Sequence, residues 1–95
     1  MGWSRVLFED GHNRVPVMCK KNGARREHRY AVPRELTPPQ FLFVLRRRHP
    51  VTGGIFLYVN GVIPASTATF GELHNQHRDK DGCLHVTYAE ENVFG

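Results

Sequence analysis

The chain has 95 residues, of which 40% are hydrophobic and 23% are charged. This length holds one domain with one core, and the composition is typical of a soluble globular protein. The formal net charge of +4 predicts a basic surface, which fits acidic peptides, anionic lipid or nucleic acid equally well. The longest apolar run is too short to cross a bilayer, and residues 1–5 do not lead into a secretory signal.

Two strands joined by a turn are predicted first. Residues 14–20 alternate between apolar and polar side chains, as expected for a strand with one buried face. Residues 22–23 are Asn-Gly, which favours a tight turn because both residues tolerate positive φ. A returning strand follows over residues 27–32 and ends at Pro33, which lacks the N–H that a strand ladder needs.

A helix is predicted next, with a clear start and a clear end. Residues 37–40 read Thr-Pro-Pro-Gln, a capping box with proline in the first turn. An apolar stripe at i, i+3 and i+4 then begins at Phe41. Arginines at 46–48 favour the C-terminal end of the helix dipole, and the His-Pro pair at 49–50 ends the helix.

The second half of the chain predicts a strand, a helix and a last strand. Residues 55–59 form a continuous apolar run, expected for a strand covered on both faces, and an Asn-Gly turn follows. Ser66 or Thr67 is expected to cap a short helix. A polar turn at 79–82 leads to the last strand, predicted over residues 83–88.

The order strand, strand, helix, strand, helix, strand predicts an α+β fold of the ubiquitin-like β-grasp type. We expect a mixed sheet of about four strands with two helices. The domain is predicted over residues 14–88. A short N-terminal segment, 1–13, with a stub of helix precedes it, and a C-terminal tail, 89–95, follows it.

Several ordered sequence blocks match one family. They are Arg14-Val15-Pro16-Val17, Tyr30-Ala31-Val32-Pro33, Leu36-Thr37, Gln40-Phe41, Phe56-Leu57-Tyr58-Val59-Asn60, Ile63-Pro64, Asp79-Lys80-Asp81-Gly82, Val86-Thr87-Tyr88 and Glu91-Asn92-Val93-Phe94-Gly95. On these blocks the chain resembles the autophagy-related protein 8 family, which includes GABARAP and microtubule-associated protein light chain 3.

The resemblance implies a modifier, not an enzyme, that needs no cofactor. E1-like and E2-like enzymes would join Gly95, which follows Phe94, to phosphatidylethanolamine, and a cysteine protease would expose this glycine or release the lipid. A residue without Cβ on a tail can pass through a narrow enzyme cleft. The protein is then expected in the cytoplasm and, when lipidated, on the autophagosome membrane.

The resemblance also implies binding of receptor peptides that carry an aromatic residue and, three positions later, an aliphatic one. Such a peptide would add a strand to the edge of the second strand. The aromatic pocket would be lined by Leu7, Pro16, Met18, Arg29 and Cys83. The aliphatic pocket would be lined by Tyr30, Val32, Pro33, Leu36, Phe41 and Val44, with Arg48 at its rim.

The chain differs from the family at two pocket positions. Cys83 stands where the family commonly has a large aromatic residue, and Ala31 stands where it has a longer aliphatic one. These differences predict a shallower aromatic pocket. The hairpin between the first two strands is also shorter than in the family, and the family's N-terminal helical extension is mostly absent. In these two features the chain resembles the autophagy-related protein 12 family, the alternative hypothesis, whose members are attached to a protein lysine but typically end in Trp-Gly.

Other kinds of site are less well supported by the residues. His74 and His77 supply two ligands, which do not make a zinc site, and the two cysteines predict reduced, buried thiols. We find no nucleophile–base–acid set. Nucleic-acid binding is the rival from another class, through a basic patch of Arg25, Arg26, Arg29 and Arg46-Arg47-Arg48. No recognised RNA-binding motif accompanies that patch, so nucleic acid is not an expected partner.

Overall fold

The structure is a computed structural model that describes residues 14–50 and 53–90. Four strands and two helices occur in this part of the chain. They are β1 (Arg14–Lys21), β2 (Glu27–Pro33), α1 (Pro38–Arg48), β3 (Ile55–Val59), α2 (Phe70–His77) and β4 (Leu84–Glu90). Neither helix has the length and apolar character that crossing a bilayer requires.

The four strands form one mixed sheet in the order β2-β1-β4-β3. β1 is antiparallel to β2 and parallel to β4, and β3 is antiparallel to β4. Val17 of β1 lies opposite Leu84 of β4, and Met18 lies opposite Arg29 of β2. The predicted α+β fold, a mixed four-stranded sheet with two helices, is confirmed.

The core lies between one face of the sheet and the two helices. Val15 and Val17 of β1 and Leu84 of β4 are fully buried on this face. Phe41 of α1 and Phe70 of α2 pack against them in the same cluster. Burying these apolar side chains is the main source of stability, since each contributes about 1.5–3 kcal/mol relative to full exposure.

α1 begins and ends where the sequence predicts. The backbone N–H of Thr37 donates to Oε1 of Gln40 over 2.9 Å, and His49 ends the helix by donating its backbone N–H to the carbonyl of Leu45. The cap expected for α2 at Ser66 or Thr67 was wrong, because those two residues lie in a turn before the helix.

Thr69 caps α2 instead. Its Oγ1 accepts a hydrogen bond from the N–H of Glu72 over 3.2 Å, and its own N–H donates to Oε1 of Glu72 over 3.1 Å. This reciprocal pair satisfies two backbone donors that the first turn of a helix leaves free. The Thr-x-x-Glu spacing is visible in the sequence and could have located the cap.

The two Asn-Gly pairs give different connections. Asn60 and Gly61 both have positive φ, at 54° and 79°, and turn the chain back so that Val62 bonds to Val59. The connection between β1 and β2 is longer than a two-residue turn, since it spans residues 22–26, and only Gly23 has positive φ there. The tight turn expected at 22–23 is therefore part of a wider loop.

Among residues 14–50 and 53–90, nothing covers the second face of β3 completely, so the expectation of a strand covered on both faces was wrong for this part of the chain. β3 forms one edge of the sheet, and its Phe56 is 41% exposed on the face opposite the core. Only Ile55, Leu57 and Val59 face the helices. The partner strand β4 continues to Glu90, which pairs with Ile55, so residues 89–90, expected in the tail, belong to the sheet.

Candidate functional site

A groove lies between β2 and α1. Its cavity measures about 270 Å³. It is lined by Arg29, Tyr30, Ala31, Val32, Pro33, Leu36, Phe41, Val44 and Arg48. The structure thus brings together all seven residues predicted for the aliphatic pocket. Ala31 also lines the groove, and was named from the sequence only as a departure from the family.

The floor of the groove is built on the core. Phe41 is 1% exposed, and the ring of Tyr30 meets it edge-on with the centroids 5.5 Å apart. Val44, one helical turn further along α1, remains 38% exposed at the mouth. This arrangement follows from helical spacing, which places residues three apart on one side of a helix. The groove therefore offers apolar surface above a rigid base.

The edge of β2 borders the same groove. β2 is the last strand at its end of the sheet, and within the described residues it pairs only with β1. The backbone groups on its free side are available to an added strand, which is a recurring mode of peptide recognition. A peptide lying there would have the cavity beneath its alternate side chains.

Positive charge surrounds the mouth of the groove. The guanidinium of Arg48 lies 5.7 Å from the centre of the Tyr30 ring, and Arg29, on the edge strand β2, is also among the lining residues. Burial raises the pKa of Tyr30, and Cys19 raises it further while Arg48 lowers it. Tyr30 is therefore an uncharged phenol at neutral pH. The positive charge at the mouth of the groove comes from the arginines.

The residues predicted for an aromatic pocket differ in their exposure to solvent. Pro16 and Arg29 are exposed and Met18 is half-buried, all on the sheet face that points away from the core. Cys83 is 4% exposed, and its backbone N–H donates to Oδ1 of Asp81 over 2.9 Å. Leu7 lies outside the described residues. An aromatic pocket at these positions stays a prediction.

The remaining polar candidates make contacts within the fold. Nε2 of His74 donates to the carbonyl of Gly82 over 2.8 Å, and the amide of Asn60 donates to Nδ1 of His77 over 2.9 Å. Burial raises the pKa of Cys19 to about 12, so this residue is a thiol and not a nucleophilic thiolate. No group of three or more metal-ligating side chains occurs in residues 14–50 and 53–90.

The conjugation residues Phe94 and Gly95 lie outside the described residues, so their role rests on the sequence. β4, the strand that leads toward them, pairs with both β1 and β3. Residues 91–95 therefore follow directly from a strand in the middle of the sheet.

Comparison with known proteins gives one family. The model of the family described as "Autophagy protein Atg8 ubiquitin like" matches residues 4–95. Autophagy-related protein 8 of Kluyveromyces lactis is 41% identical over 99 aligned positions, which cover 97% of this chain and 80% of the relative. Autophagy-related protein 8 of Saccharomyces cerevisiae is 40% identical, with 87% of this chain and 77% of the relative covered.

A solved structure agrees with this result. The crystal structure of Trypanosoma brucei ATG8 superimposes with a TM-score of 0.76 at 28% sequence identity, covering 97% of this chain and 84% of that one. The match extends over the whole sheet-and-helix arrangement, and the family model covers nearly all of the sequence. This chain therefore belongs to the Atg8 family of ubiquitin-like autophagy proteins.

Proposed function

We propose that the protein is a ubiquitin-like modifier that is joined through Gly95 to phosphatidylethanolamine. E1-like and E2-like enzymes activate and transfer the glycine carboxylate, and a cysteine protease exposes it or cleaves the lipid adduct. The support is family membership together with the Phe94-Gly95 pair, which matches the family's conjugation motif. The protein acts as a modifier, not an enzyme, and associates with the autophagosome membrane through the lipid.

The same protein recruits receptor peptides of the aromatic-x-x-aliphatic type. The observation that carries this proposal is the position of the apolar groove directly beside the free edge of β2. Strand addition supplies backbone hydrogen bonds, and the cavity over Phe41 accepts the aliphatic side chain. Arg29 and Arg48 attract acidic residues near the anchors, which increases the rate of association.

Reconstitution tests the conjugation. The protein is incubated with E1-like and E2-like autophagy enzymes, ATP and phosphatidylethanolamine liposomes, and the product is analysed by mass spectrometry. We expect a mass increase that matches one phospholipid. Gly95→Ala should form little or no adduct, because a methyl group at the terminal Cα obstructs the narrow cleft that delivers the carboxylate.

Val62→Ala is the control, since Val62 is 65% exposed and lies in the connection after β3. It should conjugate like the original protein. Unchanged conjugation of Gly95→Ala would contradict the proposal. A branched lysine peptide on another protein, recovered from cells in place of the lipid adduct, would indicate conjugation of the autophagy-related protein 12 type.

A further inference from the structure

Two histidines from different elements lie side by side at one end of the groove. His28 is on β2 and His49 is the residue that ends α1. Their ring centroids are 5.1 Å apart, and the ring planes are inclined by 51°. Both residues are only partly buried, so a ligand can approach them. We call these two residues the histidine pair.

The pair is in contact with the groove. Nε2 of His49 lies 3.4 Å from the hydroxyl oxygen of Tyr30, whose ring lines the cavity. Arg48, which lies over the same ring, immediately precedes His49 in the chain. His28 is next to Arg29, another lining residue. A peptide strand along β2 that extends past the cavity in this direction therefore meets the pair.

Each element around the pair contributes titratable or charged groups. Tyr30 of β2 and Arg48 of α1 lie next to His49, and the ring of Tyr88 of β4 stacks on His49 at 6.2 Å. Burial raises the pKa of both tyrosines, and Cys19 of β1 raises it further. The ion pair of Lys21 with Glu90 lies beside Tyr88. None of them is a carboxylate that pairs with either ring. In the described part of the chain, the only histidine ion-paired with acidic residues is His85, on the opposite face of the sheet.

The surroundings therefore oppose protonation of His49 in the free protein. Burial lowers the pKa of His49, and the nearby His28 and Arg48 lower it further. A carboxylate brought by a ligand would supply the missing negative charge. By linkage, a ligand that favours the protonated form must itself bind more tightly when that form is populated.

We propose that the histidine pair makes peptide binding in the groove respond to pH, so that a peptide carrying a carboxylate opposite the pair binds more tightly as the pH falls. The inference rests on the proposed peptide-binding function and adds its regulation. A chain that bound such peptides in this way would favour acidic receptors in mildly acidic surroundings.

Calorimetry on the full chain tests this with two series of peptides. Each carries the aromatic-x-x-aliphatic motif, with a single Glu in one series and Gln in the other at successive flanking positions. Measurements at about pH 8 and about pH 5.5 leave Glu ionised at both values and span the ordinary histidine pKa of about 6.5. For at least one position we expect the Glu peptide to bind about three- to tenfold more tightly at the lower pH, and the matched Gln peptide to change by less than about twofold.

The histidine variants give the decisive comparison. His28→Gln with His49→Gln should remove the acid-dependent gain of the Glu peptide, whereas His77→Gln, a histidine bonded to Asn60 away from the groove, should keep it. As a second readout, NMR titration of the ring C–H signals should show that the Glu peptide raises the pKa of His49. An equal pH response of Glu and Gln peptides, or a gain that persists in the double variant, would overturn the inference. Absence of peptide binding at both pH values would instead refute the proposed function.

Discussion

The rings of Phe41 and Phe70 lie 4.9 Å apart, inclined by 46°, and this contact joins α1 to α2 at the centre of the core. Phe41 is 1% exposed and Phe70 is 0% exposed. Phe41 also forms the floor of the groove, where it meets the ring of Tyr30. The shape of the groove thus depends on the same aromatic contacts that stabilise the fold.

Phe70→Ala tests this dependence. Removing a fully buried ring loses apolar burial and leaves a cavity, so we expect the free energy of unfolding to fall by about 3–5 kcal/mol in denaturant titrations. Phe43→Ala removes the same atoms from α1, but Phe43 is 62% exposed, and its change should stay within about 0.5 kcal/mol. Similar losses in the two variants would show that the aromatic core is not the main stabilising element.

Val44→Asp tests the groove as the peptide site. A carboxylate at the mouth removes apolar contact and must lose water when the aliphatic anchor is bound, so affinity for an aromatic-x-x-aliphatic peptide should fall at least about tenfold. Val62→Asp places the same charge on an exposed valine of another surface and should leave affinity unchanged. Equal effects of the two changes in calorimetry would place the peptide elsewhere.

Arg48→Gln tests the electrostatic part of recognition. Because Arg48 lines the groove, its loss should weaken an acidic peptide more than a neutral one and should reduce the salt dependence of binding. Arg46→Gln is the matched control on the exposed side of α1. The result would contradict the prediction if Arg46→Gln changed the salt dependence as much as Arg48→Gln did. RNA binding without any peptide binding would favour the nucleic-acid hypothesis.

The stability of the free protein should depend on the protonation of His49. Its pKa is lowered in the folded state, chiefly by burial, so the unfolded chain takes up this proton at a higher pH. The contribution to stability is complete above the ordinary histidine pKa of about 6.5 and is lost as the pH falls through the folded-state pKa. Thermal unfolding between about pH 8 and about pH 5 should therefore show a smaller loss for His49→Gln than for the original protein or His77→Gln.

Several elements could be predicted from the sequence because their causes are local. The Thr-Pro-Pro-Gln start of α1 and the positive-φ turn at Asn60-Gly61 depend on a few neighbouring residues, and both occur as expected. The seven residues of the aliphatic pocket were predicted from the resemblance to the family, and all seven line one cavity in the structure. The cap of α2 at Thr69 also has a local signal, its spacing to Glu72, although Ser66 and Thr67 offer hydroxyl groups a few residues earlier.

Other features depend on contacts between distant segments of the chain. The apolar run of β3 gives no sign that its strand lies at an edge, because the exposure of Phe56 depends on the strand order and on both helices packing against the other face. The contact of His28 with His49 likewise requires β2 and the end of α1 to converge. The sequence therefore determined the turn at Asn60-Gly61, the helix caps and the family, since these are encoded by nearby residues or ordered motifs. The exposed edge and the histidine pair arose from the packing of the sheet against its helices, which no short segment encodes.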